Sequence, residues 1–173
     1  MILVADSGST KTQWRMPSQI LPDGKCLKSI SFNTVGFNPF FWTSDEIYRE
    51  IKKKTPKKIE TLNSKSEIFF YGAGCSGKQQ NKIIYTALKK NFPKSKIYVE
   101  HDLLAAARAV CKHKKGIAAI LGTGSNSCYY DGKKIIKSSG GLGYILGDEG
   151  SGAHIGKTFI QAVLNNEIPE KIR

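Results

Sequence analysis

Apolar residues come in short runs along the chain, broken by stretches rich in glycine, serine and lysine. "ILVA" (residues 2–5) is too short for a helix and reads as a buried strand, followed by the turn "DSGSTKT". "TQWRM" (12–16) and "CLKSISF" (26–32) read as two further strands, with "PDG" turning between them. From 43 to 54 the period lengthens: Ile47, Tyr48 and Ile51 share one face of a helix, with Ser44 as its expected N-cap. "EIFFY" (67–71) is a strand, 79–91 a helix, "KIYVE" (96–100) a strand and "LLAAARAVC" (103–111) an apolar helix. The order is β-β-β-α-β-α-β-α.

The pattern then restarts. Residues 117–121 form a strand, "GTGSNS" a turn, 127–130 a strand, "DG" a hairpin and 134–138 a strand. That order repeats the opening one, turn included, and an internal duplication accounts for it. The second copy passes through "GGLGYILGDEGSG" into a helix from about 153 to 165. The expected organisation is a first lobe at 1–115 and the beginning of a second, incomplete one at 116–173.

Composition narrows the class without naming a function. With 173 residues, 40% hydrophobic and 24% charged, the chain has the make-up of a soluble globular protein. No apolar run approaches the roughly 20 residues of a membrane span, and "MILVADSGS" lacks the shape of a signal peptide. Cys26, Cys75, Cys111 and Cys128 are scattered, which points to reduced thiols and a cytoplasmic location. The formal charge of +13 comes from lysines in turns and at helix ends, with no RNA-binding aromatic signature or helix-turn-helix pattern. It is read as a solvated surface that attracts anionic substrates, not as a nucleic-acid groove.

One segment imitates a nucleotide site. Gly72, Gly74 and Gly77 spell G-x-G-x-x-G after a strand, and the same stretch reads G-x-x-x-x-G-K. Neither motif is complete. Lys78, Gln79, Gln80 and Asn81 follow Gly77 where a dinucleotide helix needs small apolar residues, and Gln79 cannot replace the P-loop hydroxyl. A dinucleotide-binding protein using the loop at 72–77 therefore stands as an alternative only. The loop is expected to leave the fourth strand without cradling phosphate.

The duplicated turns are better phosphate sites. A tight turn after a strand aims several backbone N–H groups one way, and small residues admit a phosphate. Two such turns from facing lobes would clamp a polyphosphate. Asp6, at the end of the first strand, is placed to meet the accompanying Mg²⁺ through water.

"ADSGSTKT", "HDLLAAARA", "ILGTGSNS" and "GGLGYILGDEGSG" together resemble the phosphate-1, catalytic-acid, phosphate-2 and glycine-rich segments of N-acetylglucosamine kinases. These belong to the BadF/BadG/BcrA/BcrD ATPase group of the actin, sugar kinase and heat-shock chaperone superfamily. The resemblance runs through the whole chain in order. It implies two ribonuclease-H-like lobes, ATP with Mg²⁺ and an amino sugar as substrate; a homodimer is one assembly open to the protein. The family pattern continues through an adenosine-binding segment that this sequence does not contain. The expectation for these 173 residues alone is weak sugar binding, very poor ATP binding and essentially no phosphotransfer.

By that resemblance Asp102 is the catalytic base, although an aspartate before a helix also serves as a plain N-cap. Thr10 touches the ATP phosphates with Gly8, Ser9 and Lys11 around it, and Gly122, Thr123 and Gly124 form the second clamp. Ser125, Asn126, Gly141, Leu142, Gly143 and Asp148 match segments that hold the sugar. Asn38 in "GFNPF" is a further candidate for a sugar hydroxyl, with an Asn-Pro turn as its plain alternative. His101 is read as a packing or surface residue. Two other functions stay open: an activator ATPase carrying an iron–sulfur cluster, which "GDEGSGAHIG" disfavours by lacking cysteine, and a non-catalytic ligand-binding or regulatory module.

Overall fold

The computed structural model describes residues 1–21, 26–60, 66–139 and 141–172. The chain divides into two compact units, Met1–Ala105 and Ala106–Arg173. The break lies upstream of the 115/116 boundary expected from the sequence, inside a helix.

The first unit is one five-stranded sheet with helices on it. β1 (Ile2–Ser7), β2 (Lys11–Ile20) and β3 (Cys26–Val35) form an antiparallel meander, and β4 (Glu67–Gly72) and β5 (Lys96–His101) run parallel to β1. The spatial order is β3-β2-β1-β4-β5. This is the topology of a ribonuclease-H-like lobe. The parallel pairs need crossovers, and helices supply them, as chain geometry requires.

Alternation along the strands selects the buried face. Leu3, Ala5 and Ser7 of β1, Trp14 and Met16 of β2, and Ile68 and Phe70 of β4 all point into the core. Trp14 stacks on Phe32 at 5.4 Å between ring centroids and donates its indole N–H to Thr34 Oγ1 at 3.1 Å. The helices α1 (Ser44–Lys54) and α3 (Lys78–Asn91) close this face with Ile47, Ile51, Ile84 and Leu88. Between them the short α2 covers Lys57–Glu60. α4 (Asp102–Cys111) follows β5 directly.

Two expectations are corrected here. The N-cap of α1 is Thr43 and not Ser44: Thr43 Oγ1 accepts from Glu46 N at 3.3 Å and Glu46 Oε2 accepts from Thr43 N at 2.9 Å. The reciprocal box needs an acid three residues on, and only Thr43 has one. The second strand is longer than expected, running on through Pro17 to Ile20 with a bulge against β3. The "PDG" turn falls on residues outside the described set.

The second unit carries the antiparallel sheet β6-β7-β8, from β6 (Gly116–Leu121), β7 (Ser125–Tyr130) and β8 (Ile135–Ser138). It continues into the one-turn α5 (Gly143–Leu146) and the longer α6 (Gly152–Leu164). A strand, a three-residue turn and an antiparallel strand open both units, with Ser7 facing Thr12 in one and Leu121 facing Ser125 in the other. The short α2 and α5 were not expected, since single turns leave no helical period to read.

Candidate functional site

In the first unit the candidate residues collect where β1, β4 and β5 end, the edge at which open parallel sheets place ligands. Register aligns Asp6 with Tyr71 and Glu100, then Ser7 with Gly72 and His101. Asp102 comes next and opens α4.

The turn at 8–10 is fixed from three sides. Gly8 N donates to Lys11 O at 3.0 Å and Gly36 N to Thr10 O at 3.0 Å. Ser7 Oγ lies 2.7 Å from Thr12 Oγ1 and accepts from Phe37 N at 3.0 Å. A side chain at Gly36 would come within 2.2 Å of Gly8 O, so glycine there is what lets the turn pack against the end of β3. The backbone N–H groups of Ser9 and Thr10, with their hydroxyls, have no partner among the described residues and sit in an exposed turn. Exposed, unpartnered donors on a tight turn are the kind of group a phosphate needs.

Asp102 is held at its helix start. Its Oδ1 accepts from Leu103 N at 2.8 Å and lies 2.8 Å from His101 Nδ1. The hydrogen bond with Asp102 holds the His101 imidazole above the ordinary histidine range, against the opposing effect of burial. Reading His101 as a packing residue misses this pair; adjacency in "HD" was the only signal. Asp6 is raised above the usual carboxylate range, first by partial burial and then by the charge of Asp102. The two carboxylates thus share one electrostatic neighbourhood. Cys75, buried behind them, has its thiol pushed up to about 12 by burial and by Asp102, and is inert as a nucleophile at neutral pH.

The glycines of the 72–77 loop have reasons of their own. A Cβ on Gly72 would meet Phe70 Cε1 at 2.6 Å and Cys75 Sγ at 2.9 Å. Gly74 has φ +79°, and a Cβ there would sit 2.6 Å from Asn38 Oδ1. Packing and turn geometry account for these two without a pyrophosphate. Asn38 itself forms the turn its neighbour Pro39 suggests: Oδ1 accepts from Phe40 N at 3.0 Å and its carbonyl from Phe41 N at 2.9 Å. Its side-chain amide nitrogen keeps no partner among the described residues. Exposed Phe40 beside it went unnoticed in the sequence.

In the second unit the turn at 122–124 is tied to α6. Gly122 O accepts from Gly152 N at 2.8 Å and Thr123 O from Ala153 N at 3.2 Å. Ser151 caps that helix, its Oγ accepting from His154 N at 3.1 Å. Gly122 N donates to Gly124 O, which leaves the N–H groups of Thr123 and Gly124 without a partner among the described residues. Asp148, in the left-handed region at φ 61°, accepts from Ser125 N at 3.0 Å through Oδ1. Its carboxylate is also what a Cβ on Gly124 would meet, at 3.0 Å. Asp148 and Ser125 therefore lie together beside the turn at 122–124. Asn126 is joined instead to Ser139, whose hydroxyl lies 3.3 Å from Asn126 Oδ1. Gly141 and Leu142 lead into α5, of which Gly143 is the first residue, and Leu142 lies against Gly147.

No group of three or more His, Cys, Asp and Glu side chains among the described residues makes a metal cage. Asp6 alone suits a Mg²⁺ held mostly by phosphate oxygens and water, since a cation would relieve the two neighbouring carboxylates. No described helix is long and apolar enough to cross a membrane.

No protein-family model matches the chain. It is 29% identical over 170 residues to an N-acetylmuramic acid/N-acetylglucosamine kinase of Clostridium acetobutylicum, covering 95% of this chain and 54% of that one. The solved structure of a candidate N-acetylglucosamine kinase from Porphyromonas gingivalis superposes with TM-score 0.85 at 44% identity, over 98% of this chain and 58% of that one. The chain is a homologue of proteins named N-acetylglucosamine kinase. A second such structure, from Chromobacterium violaceum, has TM-score 0.65 at 20% identity and shares the fold. The chain spans little more than half the length of each of these relatives.

Proposed function

We propose that this chain belongs to an enzyme that phosphorylates a hydroxyl of an amino sugar, N-acetylglucosamine first, at the expense of ATP. The observation that carries the reading is the arrangement at the ends of β1 and β5. Asp6 and Asp102 lie close enough for one to raise the pKa of the other, beside a turn with unpartnered N–H groups. Phosphoryl transfer needs these parts: donors for phosphate, a carboxylate beside a metal, and a second carboxylate to take the hydroxyl proton. The names of the relatives supply the sugar.

In this mechanism Ser9 and Thr10 bind phosphate oxygens through backbone and hydroxyl donors; Thr123 and Gly124 of the second unit carry unpartnered N–H groups of the same kind. Asp6 would hold a Mg²⁺ through water, and that ion would supply neutralisation of the phosphate charge. Asp102, held by Leu103 N and His101, accepts the proton of the attacking hydroxyl. Asn38 and exposed Phe40 are the first unit's candidates for the sugar, by amide donation and by an apolar ring face.

The test is a chimera in which residues 1–173 replace the matched portion of the Porphyromonas relative, assayed for ADP release. Turnover should require N-acetylglucosamine. Asp102→Asn should lower kcat by roughly 10²- to 10⁴-fold with little change in sugar affinity. Thr10→Ala should weaken nucleotide binding, whereas Lys78→Ala should leave it intact. ADP release indifferent to the sugar would favour the ATPase alternative. Loss of nucleotide binding in Lys78→Ala alone would return the site to the 72–77 loop.

A further inference from the structure

The second unit holds a cavity far from the turn at 122–124. It has a volume of about 520 Å³ and is lined by Arg108, Lys112, His113, Tyr130, Gly132 and Lys133, all of them in the second unit. Tyr130 and Gly132 are buried and make the floor, and the four basic residues are exposed around it. Register puts Leu121 opposite Ser125 at one end of the β6–β7 pair and Gly116 opposite Tyr130 at the other. The length of β7, roughly 17–20 Å, therefore separates the cavity from the phosphate-type turn.

Local structure fixes the walls. α4 ends at Cys111, and Lys112 takes the left-handed region at φ 55° with its N–H on Arg108 O at 3.0 Å. Lys114 N then donates to Cys111 O at 2.9 Å and closes the turn into β6. The β7–β8 hairpin packs on this turn. Gly132 has φ +99°, and a Cβ there would lie 2.5 Å from His113 O, so glycine is what lets the hairpin tip come so near the end of α4. The hairpin's acid, Asp131, gives its Oδ1 to Lys133 N and Lys134 N at 2.8 Å each and does not line the cavity.

The charges around this hollow have one sign. No carboxylate lines it, and the ammonium groups of Lys112 and Lys133 have no ion-pair partner among the described residues. Cations at a helix C-terminus suit the helix dipole, which accounts for Arg108 and Lys112 without a ligand. It does not account for Lys133, which reaches the same hollow from the hairpin. A concave wall of one sign focuses the field and concentrates counter-ions. The volume falls within the roughly 300–1,000 Å³ of small-molecule sites.

We infer that this cavity is a binding site for a phosphate dianion, free or as the phosphomonoester of a small metabolite. Lys112 and Lys133 hold it, with Arg108 and His113 as further donors. Guanidinium and ammonium groups are the side chains that recognise phosphate, and three permanent cations match a dianion better than a single carboxylate. The Tyr130 side of the floor gives the organic part of an ester an aromatic wall. The inference stands whether or not the complete protein is a kinase.

The test is a titration of isotope-labelled chain 1–173 with inorganic phosphate, read from its amide NMR signals and repeated with glucose 6-phosphate and with uncharged glucose. The amides of His113, Gly132 and Lys133 should shift together and saturate. Lys112→Ala and Lys133→Ala should each weaken that binding about two- to fivefold. Lys137→Ala, the same loss of charge on β8 outside the cavity, should leave it unchanged. Tighter binding of glucose 6-phosphate than of phosphate, with glucose silent, would assign the site to a phosphomonoester; equal or weaker binding would assign it to free phosphate. Shifts at these amides that are absent or never saturate would overturn the inference. So would equal weakening by Lys137→Ala, because the formal charge of +13 would then attract phosphate without a site.

Discussion

Asp102, His101 and Asp6 are the residues whose chemistry is most altered by their surroundings. His101 is raised chiefly by its hydrogen bond with Asp102. A histidine raised on folding contributes stability that is fully present below its unfolded value and lost as pH rises through the folded one. In Asp102→Asn the His101 midpoint, followed by NMR, should fall toward or below the ordinary histidine range, because burial then acts alone. An unmoved midpoint would separate the two side chains. Asp6 has the opposite sign, being an acid raised by burial and by Asp102. Its ionisation opposes folding as pH rises through the folded value, and a divalent cation offsets that opposition. Asp6→Asn should therefore raise the melting temperature at pH 7 and remove any Mg²⁺-dependent increase, while having little effect at pH 3. A mutant less stable at pH 7 would show that Asp6 is held by contacts other than these. None of this was visible in the sequence beyond the residue types, since the Asp6–Asp102 proximity depends on β4 lying between β1 and β5.

Elements were legible where a period or a reciprocal motif marked them. Strands β1 to β5 and helices α1, α3 and α4 were all expected in the observed order, because alternation and a 3.6-residue repeat are read directly from apolar spacing. The cap of α1 was misplaced by one residue, although the T-x-x-E box at Thr43 and Glu46 lay in plain view. The glycines were harder. Gly36 drew no notice within "GFNPF", yet its missing side chain lets the end of β3 meet the turn at 8–10. Gly36→Ala should push that turn away and cost about 1–3 kcal/mol, the usual range for overpacking. Urea unfolding measures the cost, and nucleotide titration of the chimera should show weaker binding. Wild-type stability in Gly36→Ala would mean that the turn yields without strain. Conversely, the eye-catching Gly72 and Gly74 serve local packing, which a motif search cannot distinguish from phosphate recognition.

At the scale of the whole molecule, the two units differ in how much apolar surface each removes from water. The first has the contiguous core built on Trp14, Phe37, Phe70 and Leu88. The second leaves Ile117, Leu121, Ile155, Phe159 and Leu164 exposed. Burial is the main favourable contribution to folding, so the units should not share one stability. The sequence already showed a repeated pattern, but not which face of the second copy carries the exposed apolar side chains. Both tryptophans, Trp14 and Trp42, lie in the first unit, and Trp14 is fully buried. Tryptophan fluorescence therefore reports the first unit alone, whereas far-ultraviolet circular dichroism reports both. In urea, circular dichroism of chain 1–173 should begin to fall at lower denaturant than the fluorescence change, as β6 to β8 and α6 unfold before the tryptophan core. In the chimera the early phase should move toward the later one. Coincident transitions in the short chain would mean that the second unit is as stable as the first despite its exposed face, and that its stability has a source other than burial.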